Sequence, residues 1–240
     1  MVTDLAKINL DALLARAERR RRRRALRWAR RLALVVVLLS LPFVALLRGA
    51  TALYGGAGLP AWLAVLGGAT LALGCITVVA ALASRRLTGR ARIRFVATWL
   101  ALPLVAAYVM HSLVFLASVN AKSETVRAYY TSLHPLLRLS VRTLILVDDD
   151  VVVTDMARGP ADYRRMGLPQ PEWSLHYRQD DGWVHAFDLR TNGRSGIRNW
   201  LTGAYFRALG FRVLRHVGTA DHLHVSLPLP APRSQQTPSR

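Results

Sequence analysis

The sequence predicts a membrane α-helical region of three transmembrane helices followed by a small α+β domain with an antiparallel sheet. Three observations predict it. Three long apolar runs fall in the first half of a 240-residue chain that is 52% hydrophobic. Basic residues are distributed unevenly around those runs. After Ser118 the composition changes, and short β-branched runs bounded by turn residues take over.

The formal net charge is +19, and charge of that size suits nucleic acid or anionic lipid. Its placement decides for lipid. Eleven Lys and Arg precede Leu32, including the run Arg19 to Arg24, so 1–31 is a basic tail directly before an apolar run. Such a juxtamembrane stretch meets anionic lipid and fixes topology, and no nucleic-acid partner is expected. The apolar runs are Leu32 to Leu47, Pro60 to Ser84 and Phe95 to Ser118. A bilayer needs roughly 20 residues of helix, which the second and third supply. Trp28 and its neighbours extend the first, giving spans at 28–47, 60–84 and 95–118 within a membrane region at 32–118. A basic segment before an apolar run also describes a signal peptide. Two further spans follow, however, and no A-x-A-like cleavage site stands out after Leu47, so a retained helix is expected.

Loop charge sets the orientation. The first loop carries only Arg48, whereas the second carries Arg85, Arg86, Arg90, Arg92 and Arg94. Basic loops stay in the cytoplasm. The N-terminus and second loop are therefore expected inside a bacterial cytoplasmic membrane, and everything after about Val119 outside, in the periplasm. His111, within the third span, reads as a helix–helix hydrogen-bonding group. The one cysteine, Cys75, excludes both an intrachain disulfide and a cysteine metal cluster.

The stretch 119–142 reads as a helical connector, with Ser123 as a helix start and Pro135 as a break. Thr143 to Val147 and Val151 to Thr154 read as short strands around Asp148, Asp149 and Asp150. Those aspartates lack the Gly and distal Glu of a calcium loop, so a strand turn is the expectation. Trp183 to Arg190 reads as a strand. Ile197 to Leu209 has apolar residues at helical spacing (Ile197, Trp200, Leu201, Ala204, Ala208) and stops at Gly210. Phe211 to His216 and His222 to Leu227 read as strands joined by Val217 to Asp221. The outer domain, 143–228, is large enough for one core. The tail 229–240, with Pro, Ser and Gln, is expected to be disordered.

Histidine placement carries the functional signal. Residues i and i+2 of a strand share a face, so His222 and His224 project together. Two imidazoles could coordinate one ion, or one could ligate while the other handles a proton. A catalytic zinc site takes three protein ligands and keeps a position for water. The best upstream source is Ser174 to Leu189, which holds His176, His185 and Asp188. On a regular strand Asp188 and His185 face opposite ways. The set His176, Asp188 and His224 follows, with His185 as a wall or supporting residue. His134 and His216 read as surface polar groups.

The order Ser174-x-His176, then Ala186-x-Asp188-Leu189, then Asp221-His222-x-His224-Val225 resembles the LAS-type zinc metallopeptidases. These include D-alanyl-D-alanine carboxypeptidases, murein endopeptidases and the related hedgehog-like fold. The resemblance covers roughly 151–227 and leaves out the membrane half. It implies Zn2+ held by His176, Asp188 and His224, and a peptidoglycan peptide as substrate. It places the base at His222 or Asp221, of which strand alternation favours His222. Arg158, in Thr154-Asp-Met-Ala-Arg-Gly-Pro160, stands where the family carries an arginine, and would stabilise the developing oxyanion. One departure is plain: eleven residues, Tyr177 to Phe187, separate His176 from Asp188, more than the family usually has, with Arg178 to Gly182 as an inserted loop. The competing expectation is a non-catalytic module that docks onto cell wall or a membrane-protein partner.

Overall fold

The computed structural model describes residues 2–165, 167, 169, 174–218 and 221–229. Of the tail expected to be disordered, 229–240, all but Leu229 lies outside the described residues. The contact pattern divides the chain into two units, Met1–Leu41 and Pro42–Arg240. The first unit holds the basic tail and most of the first apolar run, all within helix α1 (Val2–Gly55).

Three helices are long and apolar enough to cross a membrane: Ala12–Gly55 of α1, α2 (Ala61–Thr88) and the rod Ile93–Val114. The rod consists of α3 (Ile93–Val96), a π-helical turn (Ala97–Ala101) and α4 (Leu102–Val114). Pro103 explains the π turn. Its ring would collide with the carbonyl four residues back, and a wider turn relieves the clash. Helix α2 stops at Gly89, whose φ of 73° closes the last turn by donating N–H to the Arg85 carbonyl. α1 and α2 cross closely at glycines. A Cβ on Gly68 would stand 2.2 Å from the Leu46 carbonyl oxygen, and one on Gly49 2.5 Å from Leu71 Cδ1. Small residues let helix backbones approach where lipid gives no hydrophobic drive.

Short helices lead from the rod to the outer domain. Ser123 caps α5 (Glu124–Ala128) by accepting the Val126 N–H at 3.3 Å. Pro135 begins α6 (Pro135–Ile145) instead of breaking a helix, since its missing N–H is one the first turn does not need. The strand expected at Thr143 to Val147 is therefore wrong. Thr143, Leu144 and Ile145 end α6, and Leu146 and Val147 form a turn. Burial overrides β-branched preference here, because Leu136, Leu137, Leu139, Val141 and Leu144 are all buried when wound as a helix.

β1 (Val153–Asp155), a short α7 (Pro160–Arg165), β2 (Ala186–Arg190), α8 (Gly196–Ala208), β3 (Arg212–His216) and β4 (His222–Ser226) complete the domain. The strands form an antiparallel sheet in the order β1-β2-β4-β3. Phe187, Leu189 and Val225 point to one face, where Phe187 meets Phe206 of α8 edge-on at 5.7 Å between ring centres. Asp188 and His224, one residue out of phase, share the other face.

Gly68→Val should force α1 and α2 apart. The expected loss is about 1–3 kcal/mol of stability, the usual cost of overpacking. Thermal unfolding of the detergent-solubilised chain measures it, and an unchanged midpoint would show that the crossing tolerates side chains.

Candidate metal centre

β2 and β4 set the site. Their register places Asp188 opposite His224, and His224 Nδ1 lies 2.9 Å from Asp188 Oδ1. His176 comes from the segment before β2. That segment is tied at both sides: the Arg158 N–H donates to the His176 carbonyl, and the His185 N–H to the Leu175 carbonyl. His176 Nδ1 sits 2.6 Å from the Met156 carbonyl oxygen. A carbonyl can only accept, so Nδ1 carries the proton and Nε2 presents its lone pair to the cluster. His176 Nε2 is 3.3 Å from His224 Nδ1 and 3.5 Å from Asp188 Oδ1.

These three atoms could hold a metal ion. Donor atoms at roughly 2.0–2.1 Å from a tetrahedral ion stand about 3.3 Å apart, close to the spacing here. The two oxygens of Asp188 divide the work. Oδ1 faces the two imidazoles. Oδ2 accepts from Arg158 at 3.0 Å and lies 3.7 Å from His222 Nε2. Burial alone would raise the Asp188 pKa, but hydrogen bonds and charge from His176, His224 and His222 outweigh it and hold it well below the carboxylate range. His176 and Asp188 are buried, whereas His222 and His224 are half-buried, so the cluster opens to solvent on the β4 side.

His222 stacks on His216 with ring centres 4.8 Å apart, and it shares the ligand face with His224 as strand alternation predicts. Asp221 is differently engaged. Arg215 clamps both of its oxygens, at 3.1 and 2.7 Å. That clamp lowers its pKa to about 2. Asp221 is thus a salt-bridge partner across the hairpin, and His222 is the residue of the pair that faces the cluster. Arg158 is shared between Asp155 and Asp188. It also lines a cavity of about 420 Å3 with His176, Tyr129, Ser132, Tyr177 and Arg178.

The long gap between His176 and Asp188 does not displace His176. Residues 178–182 make a closed excursion: the Gln179 N–H donates to the Trp183 carbonyl and the Gly182 N–H to the Gln179 carbonyl, both at 2.8 Å. Gly182 supplies the turn with φ 83°. His185 does not join the ligand set. It faces the opposite side of the sheet, where Nε2 donates to Asp181 at 2.9 Å.

That bond belongs to a second cluster, with buried histidines around an exposed Asp181. Tyr54 donates to Asp181 at 3.3 Å, and His134 Nε2 lies 3.9 Å from the same oxygen. His134, expected on the surface, is fully buried, because it caps α6 by accepting the Leu136 N–H on Nδ1 at 3.2 Å. A ring accepting on Nδ1 keeps its proton on Nε2, so His134 offers no lone pair to an ion. Tyr54 and His185 donate to the Asp181 carboxylate, and His134 Nε2 stands beside it without a hydrogen bond. A third group, Asp148, Asp149 and Asp150, sits between α6 and β1 and not in a hairpin. Arg194 and Arg198 bind Asp148, and Arg198 also binds Asp150, so arginines occupy two of the three carboxylates.

The chain was compared with protein-family models, curated proteins and solved structures. None of them matches. The geometry of the cluster therefore carries the functional reading.

Burial, and then the nearby His185 imidazole, push the His134 pKa down to about 3. An unfolded imidazole titrates near 6.5. Folding thus favours the neutral ring: its contribution is complete above about pH 6.5 and is lost as pH falls toward 3, at up to about 1.4 kcal/mol per pH unit. His134→Gln should flatten that slope in denaturation curves recorded between about pH 4 and pH 7. An undiminished slope would assign the acid sensitivity to other groups.

Proposed function

We propose that the chain is a membrane-anchored zinc metallopeptidase that hydrolyses peptide bonds of peptidoglycan, of the D,D-carboxypeptidase or endopeptidase type. The observation behind this reading is the convergence of His176 Nε2, His224 Nδ1 and Asp188 Oδ1, with the His176 tautomer fixed from behind by Met156. Two imidazoles and one carboxylate form a donor set that suits zinc. The LAS-type resemblance names the same three residues. Basic flanks argue for a cytoplasmic N-terminus, with the outer domain on the periplasmic side of a bacterial inner membrane. The Arg19 to Arg24 run then meets anionic lipid.

Zinc, when bound, supplies Lewis acidity toward a carbonyl and acidifies water. The chain supplies the rest. His176 and His224 hold lone pairs on one point, and Arg158 fixes Asp188 by occupying its second oxygen. His222 takes a proton from the attacking water and returns it to the leaving amine. Arg158, on the cavity wall, favours negative charge developing on the substrate oxygen. The ligand face of the sheet is the one not covered by α8, so the site is presented away from that helix.

Elemental analysis of the purified full chain in detergent should find about one zinc per chain, and His224→Ala should lose it. His222→Ala should keep the metal and lose about 10²–10⁴-fold in hydrolysis of muropeptides followed by mass spectrometry. A metal-loaded chain that cleaves no muropeptide would favour a non-catalytic wall-binding module. A chain that takes up no metal would remove the proposal.

A further inference from the structure

Helix α8 is inside out. Its buried positions include polar Asn199 and Thr202, beside Gly203 and Phe206. Its apolar stripe points outward: Ile197, Trp200 and Leu201 are 68%, 64% and 53% exposed. A helix bordered by water turns such a stripe to the core. The polar side is bonded inside, where Asn199 Nδ2 donates to the Thr191 carbonyl and Arg194 bonds Thr202. The exposed apolar face is therefore not a failure of packing, and what it meets should itself be apolar.

Neighbouring bonds set the height of this face relative to the spans. α6 runs antiparallel to α4. Arg138 donates to the Leu113 carbonyl, Arg142 meets His111, and Thr143 bonds Tyr108. Five residues on each helix (138 to 143, 113 to 108) carry α6 about 7–8 Å back along the span from its end. The tip beyond, Leu146 and Val147, is 55% and 82% exposed. α8 lies beside α6. Tyr205 donates to the Ser140 carbonyl, and Arg198 pairs with Asp148 and Asp150 just past the tip. At its other end, the Leu209 carbonyl accepts from Thr51, in the last turns of α1. The stripe on α8 and the tip of α6 thus stand level with the outer ends of the helices that cross the membrane. Of the charges between them, Asp148 and Asp150 are paired with Arg194 and Arg198.

We infer that α8 and the tip of α6 are bedded in the bilayer, with Val147, Ile197, Trp200 and Leu201 in the boundary between headgroups and acyl chains. Tryptophan favours that layer, since its ring is apolar and its N–H still finds partners there. The occupant of this surface is the same membrane that holds α1, α2 and α4. The inference needs no catalytic activity, and it holds whether or not the metal centre is an enzyme.

The test uses the full chain, with Cys75→Ser to remove the native thiol, reconstituted in vesicles of phosphatidylethanolamine and phosphatidylglycerol. A bimane label is attached at Trp200→Cys or, separately, at Val147→Cys. Leu214→Cys serves as the control, because Leu214 is also apolar and exposed but lies on β3, opposite His224 of β4. Labels at 200 and 147 should lose most of their fluorescence to lipids carrying a nitroxide near the headgroup and little to aqueous iodide. The control should show the reverse. Iodide quenching at 200 and 147 equal to that at 214 would place the face in water and overturn the inference. Protection from both quenchers, with cross-linking between chains at 200, would overturn it in favour of a second copy.

Discussion

Asp188 and His224 share a face only while β2 and β4 keep their register. A slip of one residue would set Asp188 opposite Val225 or Leu223, so that either the acid entered the core or an apolar side chain left it. The candidate ligand cluster depends on that slip being forbidden. Phe187 and Val225 are wholly buried, and Phe187 packs on Phe206. Exposing either side chain would forfeit about 1.5–3 kcal/mol. The ligands are thus held by the apolar residues alternating with them, and the hairpin of β3 and β4 brings His222 and His216 to the same face. The Arg215–Asp221 pair fastens that hairpin at its open corner.

Much of this alternation was legible in the sequence. Period-two reasoning puts His222 and His224 together, sends His185 to the opposite face from Asp188, and finds β2, β3 and β4 within a few residues. Three apolar helices were equally plain, because twenty apolar residues admit few other readings. What could not be read was longer in range. Nothing local marks the Met156 carbonyl as the group that fixes the His176 tautomer. Thr143 to Val147 is β-branched enough to suggest a strand, and only its neighbours α4 and α2 make it a helix. His134 looked like a surface residue because its burial depends on Tyr54, which is 80 residues earlier (134 − 54). The inserted loop lengthens the gap between His176 and Asp188, yet its hydrogen bonds close upon themselves, and its Asp181 anchors the second cluster.

Three spans also acquire a physical reason. One helix would tether an outer domain, but α6 is buried on nearly every side. Its cover comes from the outer domain on one flank and from α2 and α4 on the other. The bonds at that junction serve both partners. Tyr130 donates to the Ser112 carbonyl and Arg138 to the Leu113 carbonyl, which satisfies acceptors that the end of α4 leaves without helical partners. A lone span would leave α6 with an uncovered apolar flank and α4 with open carbonyls. α2 and α4 are a floor for the domain as well as an anchor in the bilayer.

The two faces of the sheet consequently carry different duties. One is committed to α8, α6 and the ends of the spans, through Phe187, Leu189 and the Tyr54–Asp181 clamp. The other carries the candidate ligands, with His222, His216, Leu214 and Arg158 around them. A tether at a single point would let the domain tumble and would average the direction of the site. Contacts to α1 at Thr51 and Tyr54, and to α4 at Ser112 and Leu113, lie on different helices and cannot all be kept through a rotation. The ligand face is therefore fixed in direction as well as in composition. A fixed direction replaces part of the rotational search that a freely tumbling domain must make toward whatever it meets.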